Sequence, residues 1–169
     1  RCVCDDTVLY SISRGSDVGF AAVMVRDNAP TAMAEWGVVS VVDDLVRLRW
    51  TASPDTDIMG YLVCEGNPSV VIDTVFGREN TDYTYTQGDV LTVHQFRLVA
   101  FDSCRQASAL TDVCNNMVVS LVTDPCNRRV DAFWNAYLNM PSGLQGYELW
   151  SREDDAAFRC VARNDAASH

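Results

Sequence analysis

Apolar and polar positions alternate along this chain in short runs, without the wider stripe of a helix. Val46, Leu48 and Trp50 alternate with Arg47 and Arg49, the period of two that gives a strand one buried and one wet face. In the next run Tyr61 and Val63 share one face, and Leu62 and Cys64 the other. Val70 to Val75 is β-branched and strand-like, and Tyr83 to Thr86 is a further short strand. Val93 to Phe101 is a longer one, with Phe96, Leu98 and Ala100 facing inward. The runs are separated by Ser53-Pro54-Asp55-Thr56-Asp57, Gly77 to Asn80 and Gly88-Asp89, residue types that build turns. No segment combines a helical period with caps. Short strands at a spacing of about ten residues predict an all-β protein made of antiparallel β-sandwiches.

The pattern occurs twice. Val38-Val39-Ser40-Val41-Val42-Asp43-Asp44 matches Val118-Val119-Ser120-Leu121-Val122-Thr123-Asp124, an offset of 80 residues. Val46 to Trp50 then answers to Val130 to Trp134, and Ile58 to Leu62 to Leu144 to Glu148, where the offset has grown to 86. Such a period is too long for a solenoid and suits a small sandwich domain. The second copy reaches His169 after its expected fourth strand, about three strands short of a sandwich. Upstream, Thr7 to Ser13 and Phe20 to Val25 read as strands, followed by the break Asp27-Asn28-Ala29-Pro30. The expected organisation is 1–30 as the C-terminal strands of a preceding module, 31–118 as a complete module, and 119–169 as the N-terminal half of a following one. A start at Arg1, with neither Met nor a leader pattern, fits an excerpt of a longer chain. The expected core comprises Val46, Leu48, Trp50, Tyr61, Val63, Phe96, Leu98 and Ala100, with Trp134, Tyr147 and Leu149 in the second copy.

A Trp closing one strand, a Gly-Tyr opening the next, and the later strand Phe96-Arg97-Leu98-Val99-Ala100-Phe101-Asp102 together resemble the fibronectin type III family, an immunoglobulin-like sandwich. More closely, Trp50-Thr51-Ala52-Ser53-Pro54-Asp55-Thr56-Asp57-Ile58-Met59-Gly60-Tyr61 is similar to a W-x-x-S-P-x-x-D-x-x-G-Y run in tandem modules of Bacteroidota surface proteins. Ala100 to Cys104 and Asp124-Pro125-Cys126-Asn127 share that likeness. Those proteins often end in a gliding-motility-associated sorting domain. The resemblance covers residues 31 to 163 well and 1 to 30 loosely. It implies a non-catalytic structural or adhesive spacer at the cell surface of an exported protein, with no catalytic residues and no cofactor. Two alternatives stand beside it: a glycan- or protein-binding module, and an accessory domain of a secreted hydrolase. One position departs from the family, whose corresponding strand opens with a Tyr that locks a corner by a hydrogen bond. Phe96 fills the core there but cannot make that bond, a loss of about 1 kcal/mol.

Charge narrows the partners. The 169 residues carry a formal charge of −10, with 13 Arg and no Lys. Arg47, Arg97 and Arg128 are scattered, so no basic stripe exists to meet nucleic acid or anionic lipid. No apolar run approaches the roughly 20 residues of a membrane span. The expected partners are neighbouring modules of the same chain, then a surface protein or glycan; nucleic acid and membrane insertion are not expected.

Seven cysteines include no C-x-x-C pair, so disulfides are favoured over zinc. Cys104 and Cys126 fall in loops that could face one joint, and a bridge between them is expected; local pairing of Cys104 with Cys114 is the alternative. Asp55 and Asp57, with Glu65 or Asp73, could be a carboxylate pair for glycoside chemistry. With Asp102 or Asp43 they could bind Ca²⁺. Their place in a turn favours ordinary turn hydrogen bonding. His94, expected partly exposed at a strand end, has no G-x-S-x-G nucleophile near it. Gly15-Ser16-Asp17-Val18-Gly19 lacks the spacing of a phosphate cradle. Trp36, Phe76, Tyr137 and Trp150 are candidates for a sugar-stacking platform, although an outward Trp150 would more often pack on a neighbouring domain. No catalytic or metal site is expected.

Overall fold

The computed structural model describes residues 6–14, 17–25, 36–140 and 143–165, with the first two segments described by their strand pairing alone. The breaks and cysteines expected before residue 36 therefore lie outside the described residues. β1 (Asp6–Arg14) and β2 (Asp17–Val25) pair antiparallel as a two-stranded sheet. β3 (Trp36–Val42), β4 (Leu45–Trp50) and β7 (Asp82–Tyr85) make a three-stranded sheet in the order β3-β4-β7. Facing it is a four-stranded sheet, β6-β5-β8-β9, from β5 (Ile58–Glu65), β6 (Val70–Phe76), β8 (Gln95–Asp102) and β9 (Cys114–Asn115). Two hairpins follow: β10 (Val119–Asp124) with β11 (Arg129–Trp134), and β12 (Gly146–Ser151) with β13 (Arg159–Asp165).

Local chemistry fixes the hairpins. Val42 pairs with Leu45, leaving Asp43 and Asp44 as a two-residue loop with φ of 52° and 57°. That is the left-handed geometry a tight hairpin turn demands at both centres, and Asp tolerates it better than most residues. In β5, a bulge between Val63 and Cys64 interrupts the simple alternation, and Cys64 too is buried. Gly60 sits opposite both Phe76 and Phe101. A Cβ there would run into the Val75 carbonyl oxygen and the Phe101 ring, so only glycine allows the strands their spacing. The two phenyl rings meet edge to face at 5.9 Å.

The far edge of β8 is closed in an unusual way. β9 covers it for two residues; beyond that, hydroxyls substitute for a ladder. The Ala100 N–H donates to Ser108 Oγ at 3.0 Å and the Leu98 N–H to Thr111 Oγ1 at 2.9 Å. The Ser108 and Thr111 N–H groups return bonds to the Ala100 and Leu98 carbonyls. An edge satisfied by side chains offers no template to another strand.

Between the sheets lies one core. Val46, Leu48, Tyr61, Val63, Phe96, Leu98 and Ala100 have no exposed surface and Trp50 is 4% exposed. Trp50 and Tyr61 meet edge to face at 5.5 Å. Tyr61 also does polar work: its hydroxyl accepts from the Ser53 N–H at 3.0 Å and donates to the Arg78 carbonyl at 2.8 Å. Arg78 Nε in turn donates to the Ser53 and Asp55 carbonyls. The turn after β4 is thereby tied to the turn after β6.

In the second copy the expected core positions fare differently. Trp134, Tyr147 and Leu149 are half-buried rather than enclosed, and Val130 and Phe133 are 60% and 57% exposed. The cause is topological. β4 and β5 each have a second strand neighbour, β7 and β8, whereas among the described residues β11 and β12 have one partner each.

Removing Trp50 leaves a large cavity against Tyr61, and Trp50→Ala is expected to cost about 3–5 kcal/mol in urea unfolding. Tyr61→Phe keeps the packing but strands the buried Ser53 N–H, so a smaller loss of about 1–3 kcal/mol is expected. A Tyr61→Phe protein as stable as the parent would show that this hydroxyl does not hold the turn.

Candidate functional site

Among the described residues, a dense polar constellation lies where the sandwich ends and the β10–β11 hairpin begins. It is built from three asparagines and a tyrosine. Asn115 and Asn116, at the end of β9, are 2% and 0% exposed. Asn115 reaches forward: its Nδ2 donates to the Ala136 carbonyl at 2.9 Å and its Oδ1 accepts from the Leu138 N–H at 2.7 Å. Asn116 reaches back, accepting from the His94 N–H at 2.7 Å and donating to the Thr92 carbonyl at 3.0 Å. From the far side, Asn135 donates to the Asn116 carbonyl at 3.0 Å and accepts from the Val118 N–H at 2.7 Å. Each amide thus serves as donor and acceptor at once, which fixes both its position and its flip.

Tyr137 is the plug. Its ring packs against the sandwich core, and its hydroxyl accepts from the Val39 N–H at 2.7 Å. The Cys114 sulfur lies 3.6 Å from that hydroxyl and 3.4 Å from the Leu138 carbonyl oxygen. Desolvation pushes the Tyr137 hydroxyl far above its ordinary titration range, and it also raises the Cys114 thiol. Asn139 Nδ2 closes the rim on the Val113 carbonyl.

What aims Tyr137 at the sandwich is a repeat of the earlier lock. The Tyr147 hydroxyl accepts from the Tyr137 N–H at 3.0 Å, and the Tyr147 ring meets Trp134 at 5.8 Å. Tyr61, Trp50 and Ser53 stand in the same relation, with the bonded N–H three residues after the tryptophan in both copies. In the first copy that third residue is a small Ser53; in the second it is Tyr137. Beside Trp134 a shallow cleft of about 90 Å³ is lined by Met117, Val119, Tyr147, Glu148 and Leu149.

The other candidates are dispersed or differently partnered. Cys104 is disulfide-bonded, but Cys126 is an exposed free thiol and Cys114 a buried one. Neither the Cys104–Cys126 bridge nor the Cys104–Cys114 alternative forms: Cys126 lies in the β10–β11 turn held by Asp124, and Cys114 is enclosed against Tyr137. The sugar platform is not assembled either. Trp36 is 5% exposed with its indole N–H on the Asp112 carbonyl, and Tyr137 is in the joint. Phe76 and Trp150 remain exposed, on separate sheets. Ser53 Oγ accepts from the Asp55 N–H at 3.3 Å within the turn. Asp102 Oδ1 accepts from the Cys104 and Gln106 N–H groups, both at 2.8 Å. Among the described residues, no cluster of three or more His, Cys, Asp or Glu is placed to hold a metal. His94 directly precedes β8 and is partly exposed, with its side chain 2.6 Å from Glu65.

Sequence reasoning missed the asparagines. Their only signal is proximity to landmarks: Asn115-Asn116 just before the second copy, and Asn135 directly after Trp134.

No family model matches the chain, and no curated protein does. Among solved structures it is similar to the spore cortex lytic enzyme SleM of Clostridium perfringens, at 19% identity over 50% of this chain and 27% of that one, with a TM-score of 0.42. It is also similar to the FN1–FN3 domains of chicken CNTN1, at 13% identity over 88% of this chain and 56% of that one, with a TM-score of 0.43. The chain spans less than two thirds of either, and neither likeness is close enough to bear on function. Strand order decides the class: three antiparallel strands facing four, in the orders given above, are a fibronectin type III-like β-sandwich.

Thiol labelling checks the cysteine placement. Exposed Cys126 is expected to react at once, and half-buried Cys160 more slowly. Cys64 and Cys114, both buried and with thiols pushed up by desolvation, should react only on unfolding. Cys104 should require prior reduction; rapid labelling of Cys104 in unreduced protein would contradict its disulfide.

Proposed function

We propose that the chain is a run of tandem fibronectin type III-like modules whose role is mechanical: a non-catalytic structural or adhesive spacer in an exported cell-surface protein. The observation that carries this reading is the joint. A flexible tether would need no buried groups, yet here Asn115, Asn116, Asn135 and Tyr137 tie one unit to the next through hydrogen bonds that depend on orientation. Such a contact holds two units at a fixed angle and transmits force along the chain. The disulfide at Cys104 supports an oxidising compartment, as an exported protein meets. The motif resemblance to Bacteroidota surface modules supports a bacterial cell surface. A binding role has one observation in its favour, the exposed Phe76 ring standing edge-on to Phe101.

Backbone relaxation by NMR tests the spacer reading. Residues of β3–β9 and of β10–β13 are expected to tumble with one correlation time, and to separate in a Tyr137→Ala, Asn116→Ala protein. Independent tumbling in the parent chain would overturn it. Retention on a glycan array, lost on Phe76→Ala, would favour binding instead.

A further inference from the structure

We propose that the chain assembles head to tail by strand completion: the β1–β2 hairpin of one copy seats on the open face of β10–β13 in the next, pairing with the free edge of β12. Such assembly goes beyond the spacer role and uses a different surface, the apolar face of the second copy of the repeat.

The first copy shows what that face fits. Val39 and Val46 of the sandwich are 2% and 0% exposed, whereas their counterparts Val119 and Val130 are 46% and 60% exposed. Trp50, Tyr61 and Val63 are enclosed; Trp134, Tyr147 and Leu149, which answer to them, are half-buried and border the shallow cleft. β8 is what closes the first set. It lies antiparallel on β5, with Ala100 opposite Tyr61 and Leu98 opposite Val63, and its Phe96, Leu98 and Ala100 enter the core. β9 follows beyond it. Among the described residues no strand pairs with the corresponding edge of β12. The occupant that fits is an antiparallel strand with apolar residues at every second position, followed by a neighbour of its own.

β1 and β2 are such a pair. Val8, Tyr10 and Ile12 recur at every second position of β1, as Phe96, Leu98 and Ala100 do in β8. The register sets them opposite Val23, Ala21 and Gly19 of β2. Each strand has nine residues, enough to run the length of the six-residue β12. Among the described residues β1 and β2 pair only with each other. Within one chain the hairpin and β12 thus lie in separate sheets and the face stays open, so a second copy supplies the hairpin. Ladder bonds along the β12 edge and apolar residues over the cleft are the two contributions that hold an added strand. Hairpin and face are complementary rather than alike, so every copy keeps one of each to offer. Contacts of that kind extend into a string of copies or close into a ring.

The test is sedimentation of the 169-residue chain and of two variants. From about 2 µM to about 200 µM, the range of a modest interface, the parent's average mass is expected to rise to about threefold that of one chain. Tyr10→Asp spoils the hairpin and leaves the face; Leu149→Asp spoils the face and leaves the hairpin. Each variant alone should stay monomeric, with the Leu98 amide as protected as in the parent, which shows the sandwich folded. Mixed in equal amounts, the two should form a dimer and nothing larger, because one intact hairpin meets one intact face and both remaining ends are spoiled. The mixture keeps the test sound even where a charge unfolds the hairpin that bears it. A parent that stays monomeric throughout would overturn the proposal, and protected β12 amides in that monomer would place the chain's own hairpin on the face. Association that persists in Tyr10→Asp would overturn it in favour of face-to-face pairing of β10–β13. A mixture that remains monomeric would overturn it as well.

Discussion

The course of the chain after β4 and after β11 depends in each case on one hydrogen bond, from a backbone N–H to a tyrosine hydroxyl on the following strand. In the sandwich it joins Ser53 to Tyr61; in the second copy it joins Tyr137 to Tyr147. A phenol suits this task because its ring can pack in the core while its oxygen reaches a turn that cannot form ladder bonds. The tryptophan beside it, Trp50 or Trp134, braces the ring edge to face or tilted. With the turn fixed, the residue bonded to the hydroxyl is presented in a set direction. A small residue there keeps the turn closed on itself through Arg78, and an aromatic one becomes a peg for the neighbouring unit.

The joint that receives the peg is polar where the core is apolar, and the contrast has a physical basis. Apolar contacts are indifferent to direction, so they could hold two units together at many angles. Amide side chains bonded at both ends are strict about direction, and burial raises the cost of any misalignment that leaves one unsatisfied. Asn115 and Asn116 are fully buried with their bonds made, which gives the joint a preferred angle rather than mere adhesion. Asn116 also pins the corner before Phe96, accepting from the His94 N–H and donating to the Thr92 carbonyl.

The sandwich was legible in the sequence because burial on a strand has a period of two, and Val46, Leu48, Trp50, Phe96, Leu98 and Ala100 follow it, although Val99 between the last two is buried as well. The half-burial of Trp134, Tyr147 and Leu149 was not, because the pattern records which face is apolar and not whether another strand covers it. The cysteine pairing failed on geometry. Loop position alone does not bring two Cα atoms within disulfide reach, and Cys126 is taken up in a turn stabilised by Asp124. The asparagines were invisible because Asn is commonplace in loops, where a solvated turn and a buried clamp look alike.

A polar joint also resolves a conflict that any chain of linked sandwiches must meet. Each unit has to fold as the chain emerges, with its neighbour absent, so the surface awaiting the neighbour is exposed for a time. An apolar surface would invite association with other chains during that interval. Side-chain amides hydrogen-bond to water just as readily, so Asn115 and Asn116 can be solvated before their partners arrive. Desolvation is incurred only when Ala136, Leu138 and Asn135 arrive to replace the water. Tyr137, an apolar ring that carries its own hydroxyl, comes from the later segment. The strand edge next to the joint follows the same logic, since Ser108 and Thr111 close β8 within the unit rather than leaving it for a neighbour.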